Sequence, residues 1–269
     1  RDLLTQEQIG MVIGHMRSMC PEKAWPQGDL NLPRPLVTEK AFVENETVVT
    51  GAVNANGTPG LGTQVVYERR FGTSSMIEAI VPYAFTKEPG RWGAAFGDLA
   101  LGYKQKLAHS LKRGSILSAG GEIIAPTGDP ARGTGGDSTV FEMYTAYGQL
   151  LPKFAFLQLH TGIELPAHTD KVARAYYLRT AIGKTFAADG GHGRRWSPMV
   201  EFIGDRELVE GASTNWDVVP QIQIPVNRRM HVLASIGYRV PMNNTDGRQR
   251  QWLFYGLWDW ADGGLLKGW

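Results

Sequence analysis

The sequence predicts an all-β fold: an antiparallel up-and-down transmembrane β-barrel of about twelve strands, preceded by one amphipathic α-helix and an extended linker. Three observations predict it. Apolar and polar residues alternate with a period of two over long segments, which is the signature of a strand with two different faces. Clusters of Gly, Pro, Asp and Asn separate those segments, as turns require. Charged residues recur in mid-segment on the polar face, where a small dry core could not hold them.

The helix comes first. Thr5 and Gln8 have the spacing of a capping box, in which each side chain satisfies a free backbone donor of the first turn. Ile9, Val12, Ile13 and Met16 then form one apolar stripe at helical spacing, and Pro21 ends the run near Met19. The stretch Pro21 to Pro35 is rich in Pro, Gly and Asn and reads as a linker. The chain therefore divides into a helix over 1–20, a linker over 21–40 and a barrel over 41–269.

Strands are expected at 45–55, 61–71, 74–85, 94–107, 114–126, 138–150, 153–165, 173–187, 197–209, 214–225, 228–241 and 248–260. Three show the alternation well. Leu99, Leu101 and Tyr103 oppose Ala100, Gly102, Lys104 and Lys106. Val218, Pro220, Ile222 and Ile224 oppose Asp217, Val219, Gln221 and Gln223. Val232, Ala234, Ile236 and Tyr238 oppose His231, Leu233, Ser235, Gly237 and Arg239. Alternation alone does not separate a soluble barrel from a membrane one. Strand length does: a tilted strand needs about 9–11 residues to cross a bilayer, and soluble strands average about 5–6. The last strand carries Trp252, Phe254, Tyr255, Trp258 and Trp260, and Trp269 closes the chain, as suits an aromatic girdle at a membrane interface.

Composition excludes several classes. A mean hydropathy of −0.23, with no apolar run long enough to span, excludes a bundle of membrane helices. A net charge of +2 gives no nucleic-acid footprint. Cys20 is the only cysteine, which rules out an intrachain disulfide, a cysteine-based zinc cluster and a covalent haem attachment motif in this chain. The chain opens on Arg1-Asp2 rather than Met, which reads as a processed or incomplete chain.

The residues expected to line the lumen are Glu68, Arg70, Glu122, Glu142, His160, Arg179, Glu201, Asp205, His231 and Arg239. Because both signs are present, they fit ion-paired girdles that narrow a lumen better than one selective ring. Inward side chains fill much of a barrel of about this size, so the expectation is a narrow or filled lumen. No metal spacing occurs among His15, His109, His160, His168, His192 and His231. Ser118 and His160 are the nearest approach to a hydrolytic pair, but there is no nucleophile elbow, and no enzyme is expected. The glycine-rich stretches 133–137 and 189–195 read as loops at the extracellular rim, where Asp129, Asp137 and Asp189 could hold calcium but read better as solvated turn acids.

Two resemblances add to this. Gly120-Gly121-Glu122-Ile123-Ile124-Ala125-Pro126-Thr127-Gly128-Asp129 resembles the strand end and loop of the outer-membrane transporter family linked to phenol degradation. Arg239 to Thr245 and Leu257-Trp258-Asp259-Trp260 are similar to the closing strands of related barrels. The resemblance covers about 45–269 and implies a barrel in the bacterial outer membrane, in contact with its lipid, with little said of the cargo. Leu4 to Cys20 is similar to the last helix of a class I c-type cytochrome domain. That implies a haem c domain upstream or a cytochrome or redox-complex partner, with no cofactor held by this chain. Two roles follow. The barrel passes a small solute or sheathes an electron-transfer partner, or it is a structural anchor without transport; an outer-membrane hydrolase is the lesser alternative.

Overall fold

A computed structural model of the protein describes residues 4–19, 30–88, 90–189, 192–227 and 230–260. Cys20, Pro21 and Trp269 lie outside them. Helix α1 spans Gln6–Ser18. Its capping box is made: the Thr5 amide donates to Gln8 Oε1 at 2.7 Å, and the Gln8 amide to Thr5 Oγ1 at 3.2 Å. Val12, Ile13 and Met16 of its apolar stripe are exposed. No helix of the described residues is long and apolar enough to cross a membrane.

Fourteen strands follow: β1 Glu46–Asn54, β2 Gly60–Phe71, β3 Ser75–Glu88, β4 Arg91–Phe96, β5 Leu99–Ser110, β6 Ser115–Ala125, β7 Val140–Leu150, β8 Ala155–Pro166, β9 Ala175–Lys184, β10 Phe186–Asp189, β11 His192–Glu207, β12 Asn215–Pro225, β13 Val232–Pro241 and β14 Gln251–Asp259. Twelve of them form a closed antiparallel barrel. The remaining two prolong it: β4 continues the hairpin of β3, and β10 pairs with the start of β11. Closure is made by β1 against β14, with Glu46 opposite Asp259 and Asn54 opposite Gln251. A closed ladder leaves no free edge, which is the condition for a sheet to sit in hydrocarbon.

The expected faces are present. Leu99, Leu101 and Tyr103 point outward and are exposed, while Ala100, Lys104 and Lys106 are buried. On β12, Asp217 and Val219 are fully buried and Ile224 is exposed. Outward aromatics gather toward the two strand ends. Tyr83 meets Phe85 and Phe96 edge-on, each at 4.9 Å, and Tyr238 meets Trp252 at 4.7 Å near one end. Phe186 stacks on Trp196 at 4.7 Å, and Phe71 lies 6.2 Å from Tyr103, toward the other end. Two such girdles flanking an apolar band match the two interfaces of a bilayer.

β1 begins and β14 ends at the same mouth. That mouth carries the short connections 72–74, 111–114 and 151–154, whereas 126–139, 167–174 and 242–250 lie at the opposite one. Short turns mark the periplasmic end of such barrels. One expectation is corrected here. Asp189 and residues 192–195 lie in the paired strands β10 and β11 at the short-turn mouth, not the extracellular rim, because β9, the eighth strand of the barrel, runs downward into β10. A second correction concerns the linker. Residues 30–40 are largely buried inside the barrel rather than extended outside it.

If the outer face meets lipid, Ile236→Arg, at a position 51% exposed in the middle of β13, should cost about 2–4 kcal/mol, whereas Met242→Arg beyond the strand end should cost under about 1 kcal/mol. Urea unfolding of the barrel refolded into lipid vesicles measures both; equal costs would contradict the orientation of the faces.

Candidate functional site in the lumen

Residues 30–45 enter the barrel at the periplasmic mouth, turn near mid-height and return to β1. The two limbs are anchored by apolar contacts close to that mouth. Leu30 packs with Ala41, Phe42, Ile116 and Ala146, and Leu32 packs with Phe156 and Met199. The turn pushes Leu36 against Ile203, Val219 and Leu253. Glycines on the wall make the room. A Cβ at Gly237 would lie 2.6 Å from Leu36 Cδ1, and one at Gly148 would lie 3.2 Å from Leu32 Cδ1.

This segment has no ladder of its own, so its backbone groups need partners from the wall. At the turn, the amides of Leu36, Val37 and Thr38 all donate to the carboxylate of Glu201, at 2.8, 3.1 and 2.6 Å. The Thr38 hydroxyl adds a bond of 2.6 Å, and the Gln221 amide donates to the same carboxylate. Charge-assisted bonds of this kind are about twice as strong as neutral ones. Further along, Gln158 donates to the Pro33 carbonyl at 2.8 Å, Tyr255 to that of Arg34 at 2.9 Å and Lys104 to that of Lys40 at 3.0 Å. Ser118 donates to the Ala41 carbonyl, and the Glu39 amide donates to His160 Nδ1 at 3.3 Å.

Ion pairs complete the attachment. Arg34 donates to Glu46 and, at 2.9 Å, to Glu68, and lies 3.6 Å from Glu39. Lys104 holds Glu39 at 2.5 Å, and Lys40 pairs with Glu44 within the segment.

The wall facing Arg34 is a ladder of carboxylates set by strand register. Glu46 stands opposite Glu68, and Glu68 opposite Glu78. Glu78 is opposite Gly102, which is opposite Glu122. Glu122 is opposite Glu142, and Glu142 opposite Glu164. The row starts at the first residue of β1 and ends near the far end of β8, so it climbs from one mouth toward the other. Facing like charges destabilise a sheet. Gly102 opens the one gap in the row, where a Cβ would meet Glu78 Oε1 at 2.9 Å and Glu122 Cγ at 3.1 Å.

The opposite wall is paired. Fully buried Asp217 accepts from Arg239 Nε at 2.8 Å and from Arg248 at 2.6 Å. Asp205 lies 3.9 Å from both Arg179 and Arg239. The Arg179 guanidinium stacks 4.1 Å above Tyr177, whose hydroxyl donates to Glu142 and meets His160 Nε2 at 3.0 Å. Cavities remain among the described residues: about 470 Å³ above the turn, with Arg179, Arg239 and Gln251 in its wall; about 180 Å³ between the turn and Glu78, Glu122 and Glu142; and about 230 Å³ below, by Glu46 and Asp259.

The structure therefore brings Glu68, Glu122, Glu142, His160, Arg179, Glu201, Asp205 and Arg239 into one lumenal network. Arg70 faces the same way on β2, and its amide bonds Asn45 at the mouth. His231 falls outside the set: it precedes β13 in the turn, where its amide bonds Asn227 at 3.0 Å. Ser118 and His160 stand on one row with Ala146 between them, and the Ser118 hydroxyl is engaged by Ala41. Asp129 caps a short 3₁₀ turn and Asp137 pairs with Lys171 at 3.0 Å; the Asp189 side chain lies outside the described residues. Arg34, Glu39, Glu46 and Glu78 escaped the sequence reading, and Lys104 and Asp217 were placed on polar faces without being named for the lumen. For Glu78 a signal was available, since a turn at 72–74 pairs it with Glu68. For Arg34 there was none, because an irregular segment has no period.

No protein-family model matches the sequence, and a comparison with curated proteins gives no match. Solved structures do match. An outer membrane channel from Pseudomonas putida F1 superposes with a TM-score of 0.55 at 13% identity, over 84% of this chain and 99% of that one. The KdgM porin gives 0.54 at 9% identity, over 80% and 98%, and the NanC porin 0.54 at 8%, over 79% and 98%. The fold is that of outer-membrane channels. With its outward apolar band, it places the chain in a bacterial outer membrane.

Removing Arg34 leaves Glu46 and Glu68 buried without their cation, and breaking such a pair costs about 3–5 kcal/mol. Arg34→Ala and Glu201→Ala should each free the segment, so that trypsin cleaves after Lys40, which is buried in the parent protein. Mass spectrometry of the digests checks this; protection of Lys40 in both variants would contradict the attachment described.

Proposed function

We propose that the chain is an outer-membrane channel for a small solute, closed in this conformation by its own residues 30–45. One observation carries the reading: the obstruction is a single irregular segment, held to the wall by side-chain hydrogen bonds and ion pairs and belonging to none of the ladders. Cavities already lie above and below it. Withdrawing the segment would join them without breaking strand pairing. A permanent filler would be better served by apolar side chains from the strands, since buried ion pairs add little net stability over apolar packing.

A second reading, a barrel that also anchors a redox partner such as a c-type cytochrome, is favoured by the exposed stripe of α1, which such a domain would cover. Co-purification of a haem protein in detergent extracts from native membranes, read by pyridine haemochrome spectra, supports it, and a haem-free preparation counts against it.

The channel reading is tested in planar bilayers. The parent barrel should be closed for most of the time, with brief openings. Glu201→Gln, which removes the charge that three backbone amides and a threonine share, should lengthen the openings several-fold. If parent, Glu201→Gln and Arg34→Ala barrels are all silent, the channel reading fails and a structural anchor takes its place.

A further inference from the structure

We infer that the open path selects cations, and that the solute carries a guanidinium or ammonium group which descends the glutamate ladder; the inference rests on the channel reading above.

The ladder alone would show only a line of acids. What points to a ligand is what sits on it. The inserted segment places one cation, the Arg34 guanidinium, on the first two rungs, Glu46 and Glu68. Arg34 is thus a tethered occupant of a cation site, because one of its guanidinium nitrogens, Nη1, donates to carboxylates on two neighbouring strands at once, as an ammonium could also do. A second observation agrees. Glu68 is completely buried, and its Oε2 has no hydrogen-bond partner. One carboxylate oxygen beside the seated guanidinium is therefore still unsatisfied, and leaving such a group unpaired is costly.

The charge balance of the wall gives the same sign. Asp217 is neutralised by two arginines, and Glu201 is consumed by the amides of the segment. Those carboxylates offer nothing to a passing ion while so engaged. Among the described residues, the six ladder glutamates share the wall with Lys104, which holds Glu39, with Arg179, which is shared with Asp205, and with Arg70 and Lys106 nearer the periplasmic mouth. When the segment leaves, Arg34 leaves with it, and Glu46 and Glu68 lose their partner. An enclosed passage lined by one sign of charge concentrates the opposite ion. The ladder also runs from one mouth toward the other, so a cation moves between adjacent carboxylates rather than leaving a single ring.

The test uses Glu201→Gln barrels in a potassium chloride gradient. The expected reversal potential corresponds to potassium permeating several-fold better than chloride. The same barrel carrying Glu78→Gln, Glu122→Gln and Glu142→Gln should bring that ratio close to one. Free arginine added at the periplasmic side should block current at millimolar concentration, and free glutamate should not. Heat-dependent gel mobility verifies that each barrel is folded, and Glu142→Gln alone, expected to lower the ratio part of the way, serves if the triple variant does not fold. A ratio at or below one, a ratio unmoved by the glutamate substitutions, or equal block by arginine and glutamate would each overturn the inference while leaving a conducting channel. Silence in every barrel is a different result: it removes the channel reading and this inference with it.

Discussion

Closure of β1 onto β14 is the constraint from which the rest follows. It satisfies every edge and so permits the sheet to stand in lipid, and it encloses a lumen that must be filled by side chains, water or chain. It also fixes where the charges fall. With Glu46 opposite both Asp259 and Glu68, the ladder starts at the periplasmic mouth, where the inserted segment joins the barrel. A slip of one residue in any hairpin between β1 and β3, or between β5 and β8, would break the row and turn its carboxylates toward lipid.

Two kinds of contact hold the inserted segment, and they differ in how they respond to water. Near the mouth, Leu30, Leu32 and Phe42 are held by apolar packing. At the turn and along Arg34 to Lys40, attachment is by charge-assisted hydrogen bonds whose partners are also well hydrated in an aqueous lumen. The hydrated state of these groups therefore competes closely with the bound one. On the channel reading proposed above, this is the balance that a withdrawable segment requires.

Much of the barrel was legible in the sequence because a strand with one lipid face writes its period directly into the chain. The expected segments 45–55, 61–71 and 214–225 lie within a residue or so of β1, β2 and β12. The breaks at Gly97-Asp98 and Thr185 were not legible, so 94–107 and 173–187 each read as one strand where two follow one another. Among the lumenal residues, those in mid-strand were found because a charge is conspicuous between apolar neighbours. His231 sits one residue before β13, where its carbonyl still accepts from the Asp259 amide of β14 at 2.8 Å. Residues 30–40 were read as part of a linker because Pro, Gly and Asn mark irregular backbone equally well inside a barrel and outside it. What distinguishes the two is the partner of each amide, and Glu201 lies far away in sequence.

Both described ends of the inserted segment, Leu30 and Asn45, lie toward the same mouth, and between them the segment joins no strand ladder. Tension applied to the chain ahead of Leu30 would be borne first by the contacts of Leu30 and Leu32 and then by the Glu201 carboxylate, while the twelve-stranded wall stayed at rest. A pull on Leu30 would thus act on the lumen, and the barrel itself would be spared the load.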